Sequence, residues 1–289
     1  MKKALIIGAG PAGISASLYL ARAGGIEVTV LSHGKSALEK AEQIENYFGF
    51  AQPISGKDLL ANGRTGAKRL GVRFIDSEIT DLQITADLKF SALTSFRSEE
   101  TYDTVLIATG ASRKTPGIKG LKDFEGKGVS YCAVCDAFFY RNKPTAVIGS
   151  GNYAAHEASV LSGTSSSVFI LTDGQPLSAD TADNITVCDK KIKEIHGSDK
   201  VESVIFEDDS KIAVSGVFVA IGTAGSTELA RKTGVPVAGN KIITDENRAT
   251  AVPGIYAAGD CIGGLLQVSK SVADGAIAAM SMIKFLKKQ

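Results

Sequence analysis

A short pattern, in which an apolar run leads through a glycine-rich turn into a helix, occurs twice in this chain of 289 residues. The first copy begins with an apolar run at residues 4–7 and turns at Gly8, Gly10 and Gly13. In such a turn two glycines let the backbone approach a pyrophosphate, the third lets the helix pack on the strand, and the helix N-terminus attracts phosphate. A second apolar run at residues 27–31 follows, so the pattern predicts a dinucleotide-binding unit.

The second copy has its glycine turn at Gly149 and Gly151. It matches the first copy without a gap through the helix, and residues 169–173 then correspond to residues 28–32. Residues 216–223 likewise correspond to the strand that ends at Thr109. Two copies of one unit predict an α/β chain with two Rossmann-like three-layer domains, which binds or once bound two dinucleotides.

Three short apolar runs lie between the copies. Residues 72–75, 78–84 and 88–93 alternate or carry β-branched residues and are separated by turn-forming residues. This pattern predicts three strands of an antiparallel meander.

Charge and cysteine content exclude several classes of function. Since 32 basic and 31 acidic residues give a net charge of +1, we expect neither a nucleic-acid partner nor a membrane partner. Of four cysteines, Cys132 and Cys135 form the one close pair, which indicates a reducing compartment rather than a secreted disulfide scaffold. The basic, apolar amino terminus superficially resembles a signal peptide, but Gly8, Gly10 and Pro11 interrupt it, so we expect a cytoplasmic protein.

Cys132 and Cys135, followed at once by Asp136, form the second chemistry-bearing motif. Two cysteines three positions apart can close a small disulfide ring, and in a chain of βαβ units this spacing predicts a redox dithiol. The thiolate is the nucleophile in thiol–disulfide exchange, and an adjacent carboxyl group can carry the proton. Zinc is the alternative, but it requires two further ligands and the sequence has no second close pair, so we expect no metal site.

Near the carboxyl end, a predicted strand stops at Gly259 and Asp260, and a long helix rich in small residues runs from Ser271 to Leu286. A carboxylate at this strand end suits hydrogen bonds from a polyol, such as the ribityl chain of a flavin. From its position alone, Asp260 is equally compatible with capping a helix N-terminus.

The order of these motifs is similar, over essentially the whole chain, to that of the low-molecular-weight thioredoxin reductases. The residues that carry the resemblance are Gly8, Gly10, Gly13, Thr109, Gly110, Cys132, Cys135, Asp136, Phe138, Phe139, Gly149, Gly151, Ala154, Gly259 and Asp260. The resemblance implies FAD in a discontinuous domain, residues 1–114 and 246–289, and an inserted domain, residues 115–245, that carries the dithiol. It also implies a homodimer, with thioredoxin as the partner.

The resemblance also implies roles for individual residues. Cys135 would face the flavin, Cys132 would attack the disulfide of the partner, and Asp136 would donate and accept the proton. The residues implied to bind the cofactor are Gly8, Gly10, Pro11, Ala12, Gly13, Ser32, Asn46, Thr109, Gly110, Gly259, Asp260, Gln267 and Val268. Ser32 stands where such a strand normally ends in an acid, so we expect ribose recognition to use another group.

The second glycine turn departs from the family pattern. A reductase that uses NADPH should hold the 2′-phosphate with basic residues after the second strand, yet residues 172–189 contain no Lys or Arg. We therefore expect NADP(H) not to bind. Asp173 could accept hydrogen bonds from an unphosphorylated ribose, which keeps NADH open. Tyr153 and His156 are bulky for this turn, and we expect Tyr153 to cover the pyrophosphate position. The alternative is that both lie on an exposed or packed helix face.

If no nicotinamide binds, electrons must reach the flavin from another donor. The resemblance extends to the flavin-containing thioredoxin reductases that use ferredoxin, and we expect ferredoxin here. Ferredoxins are acidic, and a local basic stretch could meet one, although solvated surface charges are an equal explanation. That stretch consists of Arg113, Lys114, Lys119, Lys122 and Lys127. The alternatives are a reductase that uses NADH or NADPH, a dithiol oxidase that uses oxygen, and a flavin-binding redox sensor.

Overall fold

The computed structural model describes residues 1–96, 98–110, 117–221 and 225–289. The chain divides into two compact units, of which the first consists of Met1–Arg113 and Gly225–Gln289 and the second of Lys114–Ala224. In chain order the strands and helices are β1 (Lys2–Ile7), α1 (Pro11–Arg22), β2 (Ile26–Ser32), α2 (Gly56–Arg69), β3 (Arg73–Asp76), β4 (Ile79–Ile84), β5 (Phe90–Thr94), β6 (Glu99–Tyr102), β7 (Thr104–Ile107), β8 (Val129–Ser130), α3 (Ala133–Asp136), β9 (Pro144–Ile148), α4 (Asn152–Ser162), β10 (Ser167–Leu171), β11 (Ile185–Cys188), β12 (Ile192–Gly197), β13 (Val201–Phe206), β14 (Lys211–Ala213), β15 (Gly216–Val219), α5 (Ser226–Lys232), β16 (Val237–Ala238), β17 (Lys241–Ile242), β18 (Ile255–Ala257) and α6 (Val268–Leu286).

The first unit is built on a parallel sheet with strand order β18-β7-β1-β2-β3. Its central strand β1 is buried from Ala4 to Ile7. A strand with parallel neighbours on both sides is covered on both faces, which is why its sequence is a continuous apolar run rather than an alternating one. The carboxyl ends of β1, β2 and β7 bring the first glycine turn, Ser32 and Thr109 to the same edge of the sheet.

The second unit repeats this plan. Its parallel sheet has the order β11-β10-β9-β15-β8, so β9, β10, β11 and β15 take the places of β1, β2, β3 and β7. Each unit also carries an antiparallel meander, β4-β5-β6 in the first and β12-β13-β14 in the second. The predicted α/β fold with two Rossmann-type units is confirmed.

One predicted meander strand was wrong. The run at residues 72–75 is not in the meander, because β3 pairs in parallel with β2 and places Arg73 opposite Thr29. The third meander strand is β6, which pairs with β5. A four-residue edge strand has too little sequence to distinguish parallel from antiparallel pairing.

The compact second unit is shorter than the expected insertion, residues 115–245. Helix α5 belongs to the first unit, where the buried Lys232 Nζ lies 3.4 Å from Asp81 Oδ1 and donates to the carbonyl of Thr80 at 3.0 Å. This buried ion pair attaches α5 to the meander of the first unit. The basic residues Arg113 and Lys114, at the other predicted boundary, lie outside the described residues.

Helix α6 packs on α1 through small residues. A Cβ at Gly275 would lie 2.1 Å from the carbonyl oxygen of Ala12, so only glycine permits this approach. The close contact brings the start of α6 and the strand end at Gly259 next to the first glycine turn. Among the residues that the structure describes, none of the helices is long and apolar enough to cross a membrane.

Candidate active site

The dithiol turn, which we define as residues 130–136, runs from the last residue of β8 through the short helix α3. Cys132 and Cys135 form a disulfide with a Cα–Cα distance of 5.4 Å. Cys132 is the N-cap of α3, and its Sγ accepts a hydrogen bond from the amide of Cys135 at 3.2 Å. The three-residue spacing therefore places both sulfurs within a single helical turn.

The two cysteines differ in accessibility. Cys132 is 2% exposed, whereas Cys135 is exposed. Its neighbour Val134 is 42% exposed as well. The turn thus presents Cys135 at its surface and keeps Cys132 inside the unit.

Asp136 is held by a residue that sequence reasoning missed. The hydroxyl of Ser130 donates to Asp136 Oδ2 at 2.6 Å and accepts from the amide of Cys132 at 3.1 Å. Burial, together with the negative charge of Asp136, raises the pKa of Tyr140. Ser130 ties the carboxyl group of Asp136 to the backbone of Cys132, so Asp136 and the two cysteines belong to one hydrogen-bonded network.

A second residue missed from the sequence is Glu157 in α4. It is 1% exposed, and its Oε2 accepts from the amide of Ala133 at 2.7 Å. One turn earlier on the same helix, the hydroxyl of Tyr153 donates to the carbonyl of Tyr131 at 3.4 Å. A buried acid in an apolar helix is the sequence signal that could have pointed to Glu157.

Tyr153 does not cover the pyrophosphate position. The side chain is 1% exposed and packs inside the second unit, with its hydroxyl on Tyr131. The helix-face alternative is therefore the correct one for this residue.

The second glycine turn keeps its backbone geometry. Gly149 has φ +153°, and a Cβ there would lie 2.2 Å from the carbonyl oxygen of Ala220. The acidic loop that follows β10 folds onto this turn, because both the amide and the hydroxyl of Ser178 donate to the carbonyl of Ser150, at 2.8 and 2.9 Å. Asp173 Oδ1 accepts a hydrogen bond from the amide of Ile192 at 2.8 Å. The acid that we expected to accept from a ribose is thus engaged by the backbone of β12.

The first glycine turn fits a dinucleotide pyrophosphate. A Cβ at Gly13 would lie 1.9 Å from the carbonyl oxygen of Gly8, and one at Gly8 would lie 2.3 Å from that of Ala108. These approaches hold α1 directly against the strand ends. The cap residue is Gly10, which has no side chain, and the first helical turn contains no acid, so no side chain of the cap or of that turn competes with a phosphate for the first amides of α1.

The strand end at Gly259 and Asp260 lies beside that turn. Gly259 has φ +85°, and a Cβ there would lie 3.0 Å from Ala12 Cβ. Asp274, 1% exposed, accepts from the amide of Gly259 at 3.1 Å and from Lys270 Nζ at 2.7 Å. The backbone of the Asp260 turn is therefore fixed from α6, by residues that sequence reasoning missed.

The remaining predicted cofactor residues lie at the ends of elements and in loops of the first unit. The side-chain amide of Asn46 donates to Gln267 Oε1 at 3.1 Å. Thr109 is exposed where its strand ends, and its amide lies 3.0 Å from the position of a Cβ on Gly8. Ser32 ends β2, and Val268 begins α6. Gly110, which follows Thr109, has φ +78°.

No cation site accompanies these groups. Across residues 1–96, 98–110, 117–221 and 225–289, His, Cys, Asp and Glu side chains form no group of three or more that could hold a metal ion.

Of the basic stretch, Lys119 pairs with Glu194 at 2.6 Å, and Lys122 and Lys127 are exposed.

Comparison with known proteins defines the family. Residues 2–275 match the family described as pyridine nucleotide-disulphide oxidoreductase. The chain is also 33% identical over 299 residues to the thioredoxin reductase of Aquifex aeolicus, covering 98% of this chain and 92% of that protein. The chain belongs to the thioredoxin reductase family. The low-molecular-weight resemblance seen in the motifs is thereby confirmed.

Two solved structures relate this thioredoxin reductase family member to particular relatives. The atypical thioredoxin reductase of Desulfovibrio vulgaris Hildenborough superposes with a TM-score of 0.92 at 37% identity, covering 100% of this chain and 99% of that one. A ferredoxin-flavin thioredoxin reductase from Clostridium acetobutylicum gives a TM-score of 0.73 at 27% identity, with both chains fully covered.

Proposed function

We propose that this protein is an FAD-dependent disulfide reductase that takes electrons from ferredoxin and passes them through Cys132 and Cys135 to thioredoxin. The observation that carries the proposal is the dithiol turn. It combines a closed disulfide with a carboxyl group tied to the same backbone, through the 2.6 Å hydrogen bond from Ser130 to Asp136. This combination supplies a nucleophile and a proton carrier together.

The FAD would be held by the first unit. Gly8, Gly10, Pro11, Ala12 and Gly13 would bind the pyrophosphate at the uncapped start of α1. The remaining contacts would come from other residues of the first unit, which are Ser32, Asn46, Thr109, Gly110, Gly259, Asp260, Gln267 and Val268. Bound FAD supplies a centre that can accept single electrons and pass a pair to a disulfide.

The cysteines would carry out the exchange in two steps. Cys132 is covered while the disulfide is closed, so it would have to become accessible once the pair is reduced. Its thiolate would then attack one sulfur of the thioredoxin disulfide, form a mixed disulfide and release the other thioredoxin sulfur as a thiolate. Cys135 then attacks Cys132, which restores the Cys132–Cys135 disulfide and frees the second thioredoxin sulfur. Asp136 would take the proton from the attacking thiol and return it to the departing thiolate. Two electrons pass to thioredoxin in each cycle.

Three features favour a donor other than NADPH. Residues 172–189 offer no basic side chain for a 2′-phosphate. Ser178 is bonded to the carbonyl of Ser150 in the second glycine turn, and Asp173 is bonded to the amide of Ile192. The similarity to a ferredoxin-flavin thioredoxin reductase supports ferredoxin as that donor.

A nicotinamide-dependent reductase is the second candidate, and one observation favours it. The second glycine turn keeps the Gly149 geometry and the glycine cap of α4 at Gly151, with no acid in the first helical turn. A turn of this kind still suits a pyrophosphate. NADH fits the acidic loop better than NADPH, since it has no 2′-phosphate.

The proposal is tested by steady-state turnover of the flavin-loaded protein. Under anaerobic conditions, chemically reduced ferredoxin is supplied with oxidised thioredoxin, and the thiols formed on thioredoxin are counted. We expect continuous thiol formation with ferredoxin, and a rate at least about tenfold lower with NADPH at the same concentration. Thiol formation driven by NADPH alone, with no contribution from ferredoxin, would contradict the proposed donor.

A further inference from the structure

We propose that Glu157 is a positioning residue that makes the Cys132–Cys135 pair a stronger reductant. The inference rests on the proposed function, in which this pair donates electrons to thioredoxin. Glu157 lies in α4 and touches the dithiol turn through the amide of Ala133, at 2.7 Å.

The contact between Glu157 and Ala133 is buried, and a second contact from α4 lies beside it. Glu157 is 1% exposed, and the amide that it binds belongs to the residue directly after the buried Cys132. Tyr153, one helical turn earlier and 1% exposed, binds the carbonyl of Tyr131, directly before Cys132. Residues four apart on a helix lie on the same face, so one face of α4 fixes the backbone on both sides of Cys132.

The electrostatic consequence follows from the charge and burial of Glu157. A carboxylate bonded to the backbone directly after a buried sulfur disfavours the thiolate form of that sulfur, and the low-dielectric surroundings strengthen the interaction. Glu157 also occupies the amide of Ala133, which could otherwise donate to the thiolate. A dithiol whose reduced form is stabilised is a stronger oxidant. Glu157 works against that stabilisation, so the disulfide form is favoured and the dithiol gives up its electrons more readily.

This assignment gives the second glycine unit a use that does not depend on nucleotide. Helix α4 follows Gly149 and Gly151, as the phosphate-binding helix of such a unit does, but its buried side chains contact the dithiol turn. The unit would therefore serve as the rigid support of the redox pair whichever donor reduces the flavin.

The test compares the dithiol midpoint potential of the wild type with that of Glu157→Gln. The glutamine keeps the size and an acceptor oxygen but removes the charge. Both proteins are equilibrated in dithiothreitol redox buffers, and free thiols on the peptide that contains Cys132 and Cys135 are counted by mass spectrometry after alkylation. We expect Glu157→Gln to shift the equilibrium toward the dithiol by about tenfold, which is ~30 mV for a two-electron couple.

The matched control is Glu207→Gln. Glu207 is an exposed glutamate of the same unit, immediately after β13, so its substitution removes the same charge away from the turn. We expect the wild-type midpoint for this control. Equal midpoints for Glu157→Gln, Glu207→Gln and the wild type would overturn the inference.

Two further measurements complete the design. Thioredoxin reduction by the wild type is measured in parallel. If the midpoint shifts in Glu157→Gln but the wild type does not reduce thioredoxin, the proposed function is refuted and the role of Glu157 remains supported. If Glu157→Gln does not fold, the contact is tested in the wild type by the rate of hydrogen exchange at the Ala133 amide. We expect exchange slowed on the order of a hundredfold relative to an exposed amide, and unprotected exchange would overturn the inference.

Discussion

The two cysteines of the redox pair are chemically alike but sit in different surroundings. Cys132 is 2% exposed and bonded to the amide of Cys135, whereas Cys135 is exposed. The spacing of the pair predicted the disulfide, but spacing carries no information about which sulfur is covered. The side chains that bind the backbone around Cys132 come from Ser130, at the end of the two-residue strand β8, and from α4, which begins 16 residues after the turn. Neither is marked by the spacing of the cysteines.

Replacement of Cys132 by serine should separate two activities. Cys132→Ser removes the thiolate that we propose attacks thioredoxin, so we expect thioredoxin reduction to fall by about 10³-fold or more. Flavin reduction by the electron donor should persist, because it needs no dithiol. The measurement is anaerobic flavin bleaching beside the thioredoxin assay, with Cys188→Ser as the control at a free, half-buried cysteine. Full turnover by Cys132→Ser would show that another group is the nucleophile.

A different cysteine provides a prediction about pH. Burial raises the pKa of Cys261 to about 12, from an ordinary value of 9.0, and its thiol donates to the carbonyl of Ala258 at 3.2 Å. Since the folded pKa lies above the unfolded one, this stabilisation is complete below the unfolded pKa and is lost as the pH rises from about 9 toward 12.

The free energy of unfolding in urea, measured under reducing conditions, checks this expectation. Serine keeps the hydrogen bond but does not titrate in this range. The advantage of the wild type over Cys261→Ser should therefore shrink by about 1 kcal/mol between about pH 8 and about pH 10. A difference that stays constant across this range would contradict the elevated pKa.

At the level of elements, the first strand, glycine turn and helix depend on close backbone approach. A Cβ at Gly13 would lie 1.9 Å from the carbonyl oxygen of Gly8, so Gly13→Ala must push α1 away from β1. We expect a loss of about 1–3 kcal/mol of unfolding free energy and a lower flavin content. The ratio of flavin absorbance to protein concentration in the purified protein measures that content.

Gly66→Ala is the control for this prediction. Gly66 lies inside α2, where a Cβ would meet Leu18 Cδ2 at 3.9 Å, an ordinary contact. Alanine is the better helix former by about 0.5–1 kcal/mol, so this variant should keep its flavin and gain stability. Equal flavin content in the two variants would argue against the close approach at Gly13.

Sequence patterns identified the elements better than their contacts. The glycine turns and the apolar runs of β1, β2, β9 and β10 follow from local chemistry, and their parallel pairing follows from the repeat. Pairing of the short β3 and the attachment of α5 to the first unit could not be predicted, because both depend on partners far away in sequence. The same holds for Glu157 and Asp274, whose significance lies in backbone amides that only the folded chain brings near.

Across the whole molecule, two copies of one unit have diverged in what they retain. The first has an uncapped glycine turn facing a second fixed turn at Asp260. The second keeps the glycine geometry but has an acidic loop bonded to its own turn through Ser178, and Asp173 is engaged by Ile192. This divergence is the reason why we propose a flavin site in the first unit and a donor other than NADPH. The homodimer, the cytoplasmic location and the role of the basic stretch stay predictions.

An anaerobic titration identifies the compound that donates electrons to the flavin. The purified flavin-loaded protein is titrated anaerobically with reduced ferredoxin, NADH and NADPH in separate cuvettes, and the flavin absorbance is followed. We expect ferredoxin to bleach the flavin to completion, while NADPH leaves it oxidised because no basic side chain in residues 172–189 can hold its 2′-phosphate. Rapid, stoichiometric bleaching by NADPH would show instead that NADPH is a working donor.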